Sequence, residues 1–245
     1  MLQALTNDRL RRVVHGSPWL HGLARQVAPL IYREDGWGWH RVERGPAGGC
    51  WIAARPRTHK FVLAGRYEPT LVRYLDEHLR RGVLWDVGAH TGYMTLVAAR
   101  LGATVVAVEA HPDNAARLRS AVARNGLGRH VHVVESALGS SGGVARLAPG
   151  GDSSTGRIAA DGIEVPMTTL DELRVRYPAP TILKIDVEGF EAEVLRGGSV
   201  LLAEDRPALL IELHPWADAG EVYAQLGRFR LEELDVGHVL GKPIR

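Results

Sequence analysis

The chain has 245 residues, 45% of them hydrophobic, with 30 basic and 28 acidic side chains. These values are typical of one globular domain with a small appendage, and they exclude a disordered, collagen-like or disulfide-rich protein. The single cysteine, Cys50, excludes an intramolecular disulfide and a thiolate metal site. The sequence contains no apolar run long enough to span a membrane, and residues 1–16 are too charged for a signal peptide. We therefore expect a soluble, cytoplasmic protein without a membrane span.

The first part of the chain is predicted to contain short helices and one pair of strands. Helical pieces are expected within residues 2–31, and two strands joined by a glycine-rich loop are expected within Trp37–Arg55. Apolar residues at helical spacing then predict a helix over Glu68–Arg81, which Gly82 ends.

From residue 83 onward, short aliphatic runs alternate with amphipathic stretches. The runs predict five strands: Val83–Val87, Thr104–Val108, Val131–Val134, Ile182–Ile185 and Ala208–Leu213. The stretches predict three helices: Tyr93–Leu101, Asn114–Asn125 and Phe190–Leu202. Nearly continuous apolar strands that alternate with helices are typical of a parallel sheet covered on both faces. With right-handed crossovers, the expected fold is an α/β fold with an open, doubly wound sheet.

Two further pairs of strands are predicted. The first pair, Val144–Leu147 with Ile163–Pro166, lies in an inserted segment, residues 139–180. The second pair, Phe229–Leu234 with His238–Ile244, lies at the C-terminal end. The insertion should also contain a short helix that starts near Thr169. The C-terminal pair should close one edge of the sheet and give it seven strands, most of them parallel. We assign residues 67–245 to this domain and residues 1–66 to an N-terminal extension.

The loop after the first strand of the sheet, Asp86–Gly92, is the first candidate for ligand binding, because ligands of open α/β sheets bind beyond the carboxyl ends of the strands. Gly88 and Gly92 would let the backbone approach a ligand, whereas an ordinary tight turn needs one glycine. The dinucleotide pattern G-x-G-x-x-G is absent, since His90 and Tyr93 occupy its other two glycine positions.

Glu109 ends the second strand, 21 residues after Gly88. A carboxylate at this position can accept hydrogen bonds from both hydroxyls of a ribose. The acidic residue Asp86, at the start of the loop, suits a ligand with an ammonium group and not one with a pyrophosphate. S-adenosylmethionine (SAM) meets both requirements, and we expect it as the cofactor.

Several short sequence motifs resemble those of one known family. They are Asp86–Gly92, Val108-Glu109, Gly65-Arg66-Tyr67-Glu68-Pro69, Leu170-Asp171-Glu172-Leu173, Lys184-Ile185-Asp186-Val187-Glu188-Gly189-Phe190-Glu191, Leu195-Arg196-Gly197-Gly198 and Glu212-Leu213. In this order they resemble the FkbM family of class I SAM-dependent methyltransferases, which have a Rossmann-like fold and mostly methylate hydroxyl oxygens. Two positions depart from the usual pattern of the family: His90 stands in place of Asn, and Ala110 in place of Pro.

The resemblance implies a set of cofactor-binding residues. The set is Tyr67, Glu68, Asp86, Gly88, Ala89, His90, Gly92, Glu109, Ala110, Ser136, Ala137 and Asp186. Glu109 would hold the ribose, the Asp86–Gly92 loop the methionine part, and Ser136 with Ala137 the adenine. Tyr67 and Glu68 would close over the cofactor, although packing at the start of a helix explains them equally well.

The candidate catalytic residues follow the fourth and fifth strands. Asp186 and Glu188 come after the fourth strand, and Glu212 and His214 end or follow the fifth. Asp186 would orient the cofactor and the acceptor, and His214 would act as the base, because histidine takes up a proton near neutral pH. A divalent cation such as Mg²⁺ on Asp186, Glu188 and Glu212 is the alternative.

Purely structural roles compete with these assignments. Asp186 or Glu188 could cap the helix that follows, Glu212 could pair with Lys184 or with an arginine, and His214 could be an exposed loop residue.

The expected function is SAM-dependent O-methylation of a small molecule, such as a sugar or a compound of secondary metabolism. One alternative is RNA 2′-O-methylation, which is disfavoured because no lysine lies between Ile185 and Gly241. The other is a SAM-binding module without catalytic activity. No nucleic-acid partner is expected, because the sequence lacks a block of lysines and arginines with interleaved aromatic residues. A homo-oligomer formed through the N-terminal helices is compatible with the sequence.

Overall fold

The computed structural model describes residues 35–148 and 162–244 of the chain. The helical pieces expected within residues 2–31 lie outside the described residues. The described chain falls into two compact units, one with residues 35–38 and 54–60, and one with residues 39–53 and the chain from Phe61 onward. None of the described helices is long and apolar enough to cross a membrane.

The described strands follow one another as β1 (Gly38–Arg41), β2 (Trp51–Ala54), β3 (Val83–Val87), β4 (Thr104–Glu109), β5 (Val131–Glu135), β6 (Ala137–Leu138), β7 (Gly143–Leu147), β8 (Ile163–Thr168), β9 (Ile182–Ile185), β10 (Ala208–Glu212), β11 (Phe229–Asp235) and β12 (His238–Pro243). The described helices are α1 (Lys60–Leu63), α2 (Pro69–His78), α3 (Tyr93–Arg100), α4 (Pro112–Arg124), α5 (Leu170–Arg174), α6 (Glu191–Arg196), α7 (Ser199–Glu204) and α8 (Ala219–Gln225).

The central sheet has seven strands in the order β11-β12-β10-β9-β3-β4-β5. The pairs from β10 to β5 are parallel, and β12 runs antiparallel to both β10 and β11. Trp85, Leu183 and Leu210, from three of the parallel strands, are almost completely buried, as expected for a sheet covered on both faces. The expected seven-stranded, mostly parallel α/β sheet is therefore confirmed.

The strand order reverses between β3 and β9, which are neighbours in the sheet although most of the domain separates them in sequence. Hydrogen bonds join the two strands at both ends. The Val83 N–H donates to Thr181 Oγ1 over 3.0 Å at one end, and the Asp186 N–H donates to the Val87 carbonyl over 3.1 Å at the other. The carboxyl ends of β3 and β9 thus meet at the point where open α/β sheets bind ligands.

The single helix predicted over Phe190–Leu202 is wrong, because the structure has two helices there, α6 and α7, separated at Gly197-Gly198. The chain turns between them where a Cβ on Gly197 would lie 2.0 Å from the carbonyl oxygen of Gly139. The second helix starts anew because the Asp171 carboxylate accepts hydrogen bonds from the N–H groups of Val200 and Leu201, at 3.0 and 2.8 Å.

The inserted segment forms a small sheet of its own. The two predicted strands pair antiparallel as β7 and β8, but the short strand β6 extends them to a three-stranded sheet in the order β6-β8-β7. The predicted helix follows as α5, with a capping box in which the side chains of Thr169 and Glu172 each accept from the backbone N–H of the other. The predicted C-terminal hairpin is also confirmed, as β11 and β12.

Candidate active site

The glycine-containing loop joins β3 to α3. Gly88 and Gly92 have φ angles of 80° and 97°, in the region that disfavours other residues. A Cβ on Gly88 would lie 1.7 Å from the carbonyl oxygen of Asp186, and one on Gly92 would lie 2.3 Å from Cδ1 of Leu118. The requirement for glycine at both positions therefore already arises from contacts within the chain. Ala89, between them, is buried.

Asp86 is completely buried beneath this loop. Its Oδ2 accepts a hydrogen bond of 2.6 Å from the Thr95 hydroxyl, and its Oδ1, which has no hydrogen-bond partner among the described residues, lies 3.8 Å from Nζ of Lys184. The same Nζ donates to Oδ2 of Asp186 over 3.0 Å. Asp86 therefore faces a cation of the chain itself, and it would influence a ligand through its charge and through the loop that it anchors.

The charges of this buried trio depend on one another. Burial raises the pKa of Asp86. Burial also opposes the charge of Lys184, but the carboxylates of Asp186 and Asp86 outweigh it and raise the pKa of Lys184. Although burial acts against ionisation of Asp186, its contact with Lys184 lowers the pKa of Asp186. Lys184 thus holds a charged Asp186 at the carboxyl end of β9.

Glu109 lies at the carboxyl end of β4 and keeps 8% of its surface exposed. Its Oε2 accepts from the backbone N–H of His90 at 2.8 Å, and its Oε1 accepts from the N–H of His111 at 2.9 Å. Burial raises the pKa of Glu109 to about 7, against the effect of these two donors. His90 reaches its bond with a φ of 51°, so the carboxylate of Glu109 and the loop hold each other in place.

The residues that follow β5 make their contacts within the chain. The hydroxyl of Ser136 is directed at backbone carbonyls, that of Ala137 at 2.8 Å and that of Pro166 at 3.0 Å. Ala137 is buried in the apolar cluster of the inserted sheet, and Ala110 packs against the same cluster. These contacts bring Ala110, Ser136 and Ala137 together, and they engage the Ser136 hydroxyl within the chain.

Tyr67 and Glu68 precede α2. Glu68 occupies the N-cap position in a left-handed conformation, with φ 42° and ψ 60°, yet its side chain makes no capping hydrogen bond to the described backbone. Its carboxyl instead interacts with the charges of Lys184 and Asp186, and burial raises the pKa of Glu68. The ring of Tyr67 meets that of Tyr93 edge-on, with 5.9 Å between centroids. The Glu68 side chain therefore points to the carboxyl ends of the strands.

The strongest concentration of ionisable groups surrounds His214, whose side chain is 9% exposed. Its Nε2 lies 3.3 Å from Oε2 of Glu188 and 3.9 Å from Oδ1 of Asp186. Oε1 of Glu212 is also 3.9 Å from Nε2, and on the other side of the ring Oε1 of Glu191 lies 3.0 Å from Nδ1. The hydrogen bond to Glu191 is the main reason why the pKa of His214 is raised, and the other carboxylates add to it. We call these five residues the His214 cluster.

This geometry decides between the readings that the sequence left open. Phe190 is the N-cap of α6, so neither Asp186 nor Glu188 occupies that position. Within the described chain, the ion pairs of Lys184 are formed with Asp86 and Asp186, and not with Glu212. The side chain of His214 is 9% exposed, so its interpretation as an exposed loop residue is wrong. The expected convergence of Asp186, Glu188, Glu212 and His214 is present.

A model of the methyltransferase FkbM domain matches residues 86–237 of the sequence, a segment that contains the whole His214 cluster and the glycine loop. The chain belongs to the FkbM methyltransferase family. It is an enzyme of the methyltransferase class, as the resemblance predicted.

The chain is also similar to individual known proteins. A hexuronic acid methyltransferase of Haloferax volcanii, AglP, is 29% identical over 171 residues, which make up 68% of this chain and 70% of that protein. The putative methyltransferase yhhF of Escherichia coli is 14% identical, with a TM-score of 0.50 over 85% of this chain and 100% of its own, and shares the fold. The methyltransferase FkbM of Methylobacillus flagellatus KT is 17% identical, with a TM-score of 0.49 over 66% of this chain and 44% of its own. This chain thus spans less than half of that protein.

Two ionisable residues of this methyltransferase were not predicted as site residues from the sequence: Glu191, a member of the His214 cluster, and His238, which lies beside it. Glu191 lies in the first turn of α6, where an acidic residue is common, and the structure alone shows that it contacts His214. His238 begins β12 and pairs in register with Glu212. Its Nδ1 lies 2.5 Å from Oδ1 of Asp235 and its Nε2 lies 3.7 Å from Oε2 of Glu212. The nearby carboxylates of Glu212 and Asp235 raise the pKa of His238 to about 9.

Two groups of described residues in this methyltransferase could hold a metal ion. In each group the possible ligand atoms lie within 4.8 Å of one another, and the groups are Asp186, Glu212 and His214, and Glu68, Glu212 and His238. The expected all-oxygen set of Asp186, Glu188 and Glu212 is thus replaced by sets with one imidazole each. Imidazole with carboxylates is also compatible with transition metals, so Mg²⁺ is not singled out.

Proposed function

We propose that this methyltransferase uses SAM to methylate a hydroxyl oxygen of a small molecule, such as a sugar or a secondary metabolite. One observation carries the proposal: His214, whose side chain is 9% exposed, lies beside Asp186 at the carboxyl ends of β9 and β10, next to the loop that follows β3. A histidine in that place can accept the proton that the hydroxyl must lose.

The described residues fit the cofactor. Two backbone N–H groups fix the Glu109 carboxylate at the carboxyl end of β4, and the residue keeps 8% of its surface exposed. A fixed carboxylate is a suitable acceptor for the two hydroxyls of a ribose. The loop from Asp86 to Gly92 would hold the methionine part, and Ser136 with Ala137 would lie against the adenine. When bound, SAM supplies an electrophilic methyl group on a positively charged sulfur.

The chain would contribute a base and a fixed geometry. Nε2 of His214 would accept the proton that the acceptor hydroxyl loses when it is methylated. Asp186, held by Lys184, would orient the acceptor, and Glu188 would stabilise the protonated ring of His214. Alignment of the reacting groups can lower such a barrier by roughly 7–11 kcal/mol.

The proposed acceptor class is supported by the similar protein AglP of Haloferax volcanii, which is named a hexuronic acid methyltransferase. We assign the catalytic domain to residues 67–245, with the inserted segment 139–180, and residues 1–66 to an N-terminal extension.

Cofactor binding is tested by calorimetry with S-adenosylhomocysteine on the wild type and on Glu109→Ala. Loss of two hydrogen bonds to a charged acceptor should weaken binding by at least about tenfold. Glu135→Ala is the matched control, because Glu135 pairs in register with Glu109 on β5 and forms a surface ion pair with Arg119. Equal affinities of the wild type and Glu109→Ala would remove Glu109 from the site.

Catalysis is tested with isotopically labelled SAM and a panel of sugar and secondary-metabolite hydroxyl acceptors. Methyl transfer that survives EDTA but is lost in His214→Ala supports the base, since a positioned base contributes roughly 10²–10⁴-fold to a rate. Activity that EDTA abolishes and that returns with a divalent cation supports a metal on Asp186, Glu212 and His214 instead. Cofactor binding without a methylated product from any acceptor would favour the non-catalytic module.

A further inference from the structure

We propose that Glu191 is a positioning residue that fixes the tautomer of His214, so that the ring carries its proton on Nδ1 and directs the lone pair of Nε2 to the acceptor. The inference rests on the role of His214 in the proposed function. It concerns a residue that would touch neither the acceptor nor the cofactor.

The first support comes from the burial and the hydrogen bonds of Glu191. The residue has no exposed surface and lies in the first turn of α6. Its Oε1 accepts two hydrogen bonds, one of 2.9 Å from the backbone N–H of Gly189 and one of 3.0 Å with Nδ1 of His214. A carboxylate held in this way offers an acceptor at a fixed place, and an ionised carboxylate can only accept. We therefore take Nδ1 as the donor of this hydrogen bond.

The second support comes from the carboxylates that face Nε2, on the opposite side of the ring. Nε2 faces Glu188 at 3.3 Å, and Asp186 and Glu212 at 3.9 Å each. These carboxylates stabilise the doubly protonated ring, and Glu188 also competes for the single proton of the neutral ring. The Glu188 side chain is 23% exposed, and its contact with the ring is longer than that of the buried Glu191. The neutral ring should therefore carry its proton on Nδ1, facing Glu191.

The remaining neighbours do not select a tautomer. The ring of Trp216 stacks on the imidazole at 5.3 Å between centroids, with 29° between the planes, which restricts rotation of the ring without accepting a proton from it. Between this stacking and the bond to Glu191, Nε2 is left pointing at the carboxyl ends of β9 and β10. Asp–His and Glu–His pairs of this kind orient the base in many hydrolases.

The inference predicts different effects for three variants. Glu191→Gln keeps an acceptor oxygen but removes the charge, so the pKa of His214 should fall while the neutral ring stays protonated on Nδ1. Glu191→Ala removes both, so the proton of the neutral ring should move to Nε2, where Glu188 accepts it. Glu188→Gln is the matched control, because it should lower the pKa of His214 and leave the Nδ1–H tautomer unchanged.

The test is a ¹⁵N NMR titration of the histidine rings in the full chain, with His214 assigned by its loss in His214→Ala. The wild type should show the Nδ1–H tautomer above the pKa of His214. A wild-type ring protonated on Nε2 overturns the inference, even where Glu191→Ala fails to fold. So does a folded Glu191→Ala protein whose neutral His214 ring keeps its proton on Nδ1.

The titration needs neither acceptor nor cofactor, so it separates this inference from the proposed function. If His214→Ala retained methyl transfer, the base would be wrong while the tautomer result would stand. If methyl transfer is observed, its pH profile in Glu191→Gln should shift to lower pH with the pKa of His214. A purely structural role for Glu191 would change the melting temperature but would leave the tautomer and the pH profile as they are.

Discussion

Gly88 and Asp186 approach each other closely at the carboxyl ends of the strands. The two residues follow β3 and β9, and the space where a side chain of residue 88 would begin is filled by the carbonyl oxygen of Asp186. The glycine therefore sets the distance between the cofactor loop and the residue that we place beside the acceptor. Any side chain at position 88 would push β3 and β9 apart.

We predict that Gly88→Ala destabilises the fold by at least about 3 kcal/mol, because alanine would suffer both a left-handed backbone and a collision with backbone. Gly102→Ala is the matched control. Gly102 has a similar φ of 85°, but a Cβ there would meet nothing within 4 Å, so the cost should be about 1 kcal/mol. Urea unfolding of the two variants measures the difference, and equal costs would show that the contact with Asp186 relaxes easily.

Whether a site residue could be predicted from the sequence depends on its position relative to the strands. Glu109, Asp186 and His214 come at or just after the ends of predicted strands, and the rule that ligands bind at carboxyl ends is sufficient to find them. Glu191 and His238 obey no such rule. Their contacts depend on how α6 is turned and on the register of β12, which are set by tertiary packing.

At the scale of elements, strands were predicted more closely than helices. The apolar runs of β3 and β9 are bounded by polar or glycine residues, and their predicted limits agree with the structure. The helical pattern over Phe190–Leu202 was read through Gly197-Gly198, because apolar spacing continues across the break. The break exists because Asp171, distant in sequence, caps α7. The short helix α8 has one buried residue, Val222, and was not predicted.

The capping box of α5 gives a prediction at this scale. The Thr169 hydroxyl accepts from the Glu172 N–H at 3.0 Å, and it starts a helix of five residues that carries Leu170 and Leu173 into the core. Thr169→Ala should cost about 1 kcal/mol, while Thr169→Ser should keep the bond and most of the stability. Thermal unfolding of the two variants tests this, and an unchanged Thr169→Ala protein would mean that packing alone starts α5.

At the scale of the whole molecule, the order of the sheet assembles the ionisable groups. β12 is inserted between β10 and β11, so residues from the C-terminal end of the sequence lie beside the end of β10. The register of β10 and β12 sets His238 opposite Glu212, and Glu212 in turn lies 3.9 Å from His214. Glu212 thus stands between two imidazoles, each of which contacts a further carboxylate through Nδ1, Glu191 for His214 and Asp235 for His238.

This arrangement makes the stability of the fold depend on pH. The pKa of His238 is about 9 in the folded chain, against about 6.5 for an unperturbed histidine. Because the folded state holds the proton more tightly, the contribution of His238 is complete below pH 6.5 and is lost as the pH rises through 9. Burial of Glu109 also lowers stability with rising pH, but in a lower window, which ends near its pKa of about 7.

We therefore predict that urea unfolding shows the wild type to be more stable than His238→Gln at pH 6.5, and that the difference shrinks towards pH 9.5. Comparison of the two proteins at each pH cancels Glu109 and the other shared groups that do not interact with His238. Asp235→Asn should give a smaller effect in the same direction, since it removes one of the two carboxylates that contact the His238 ring. A difference between the wild type and His238→Gln that stays constant from pH 6.5 to 9.5 would mean that His238 contributes by packing and not through its proton.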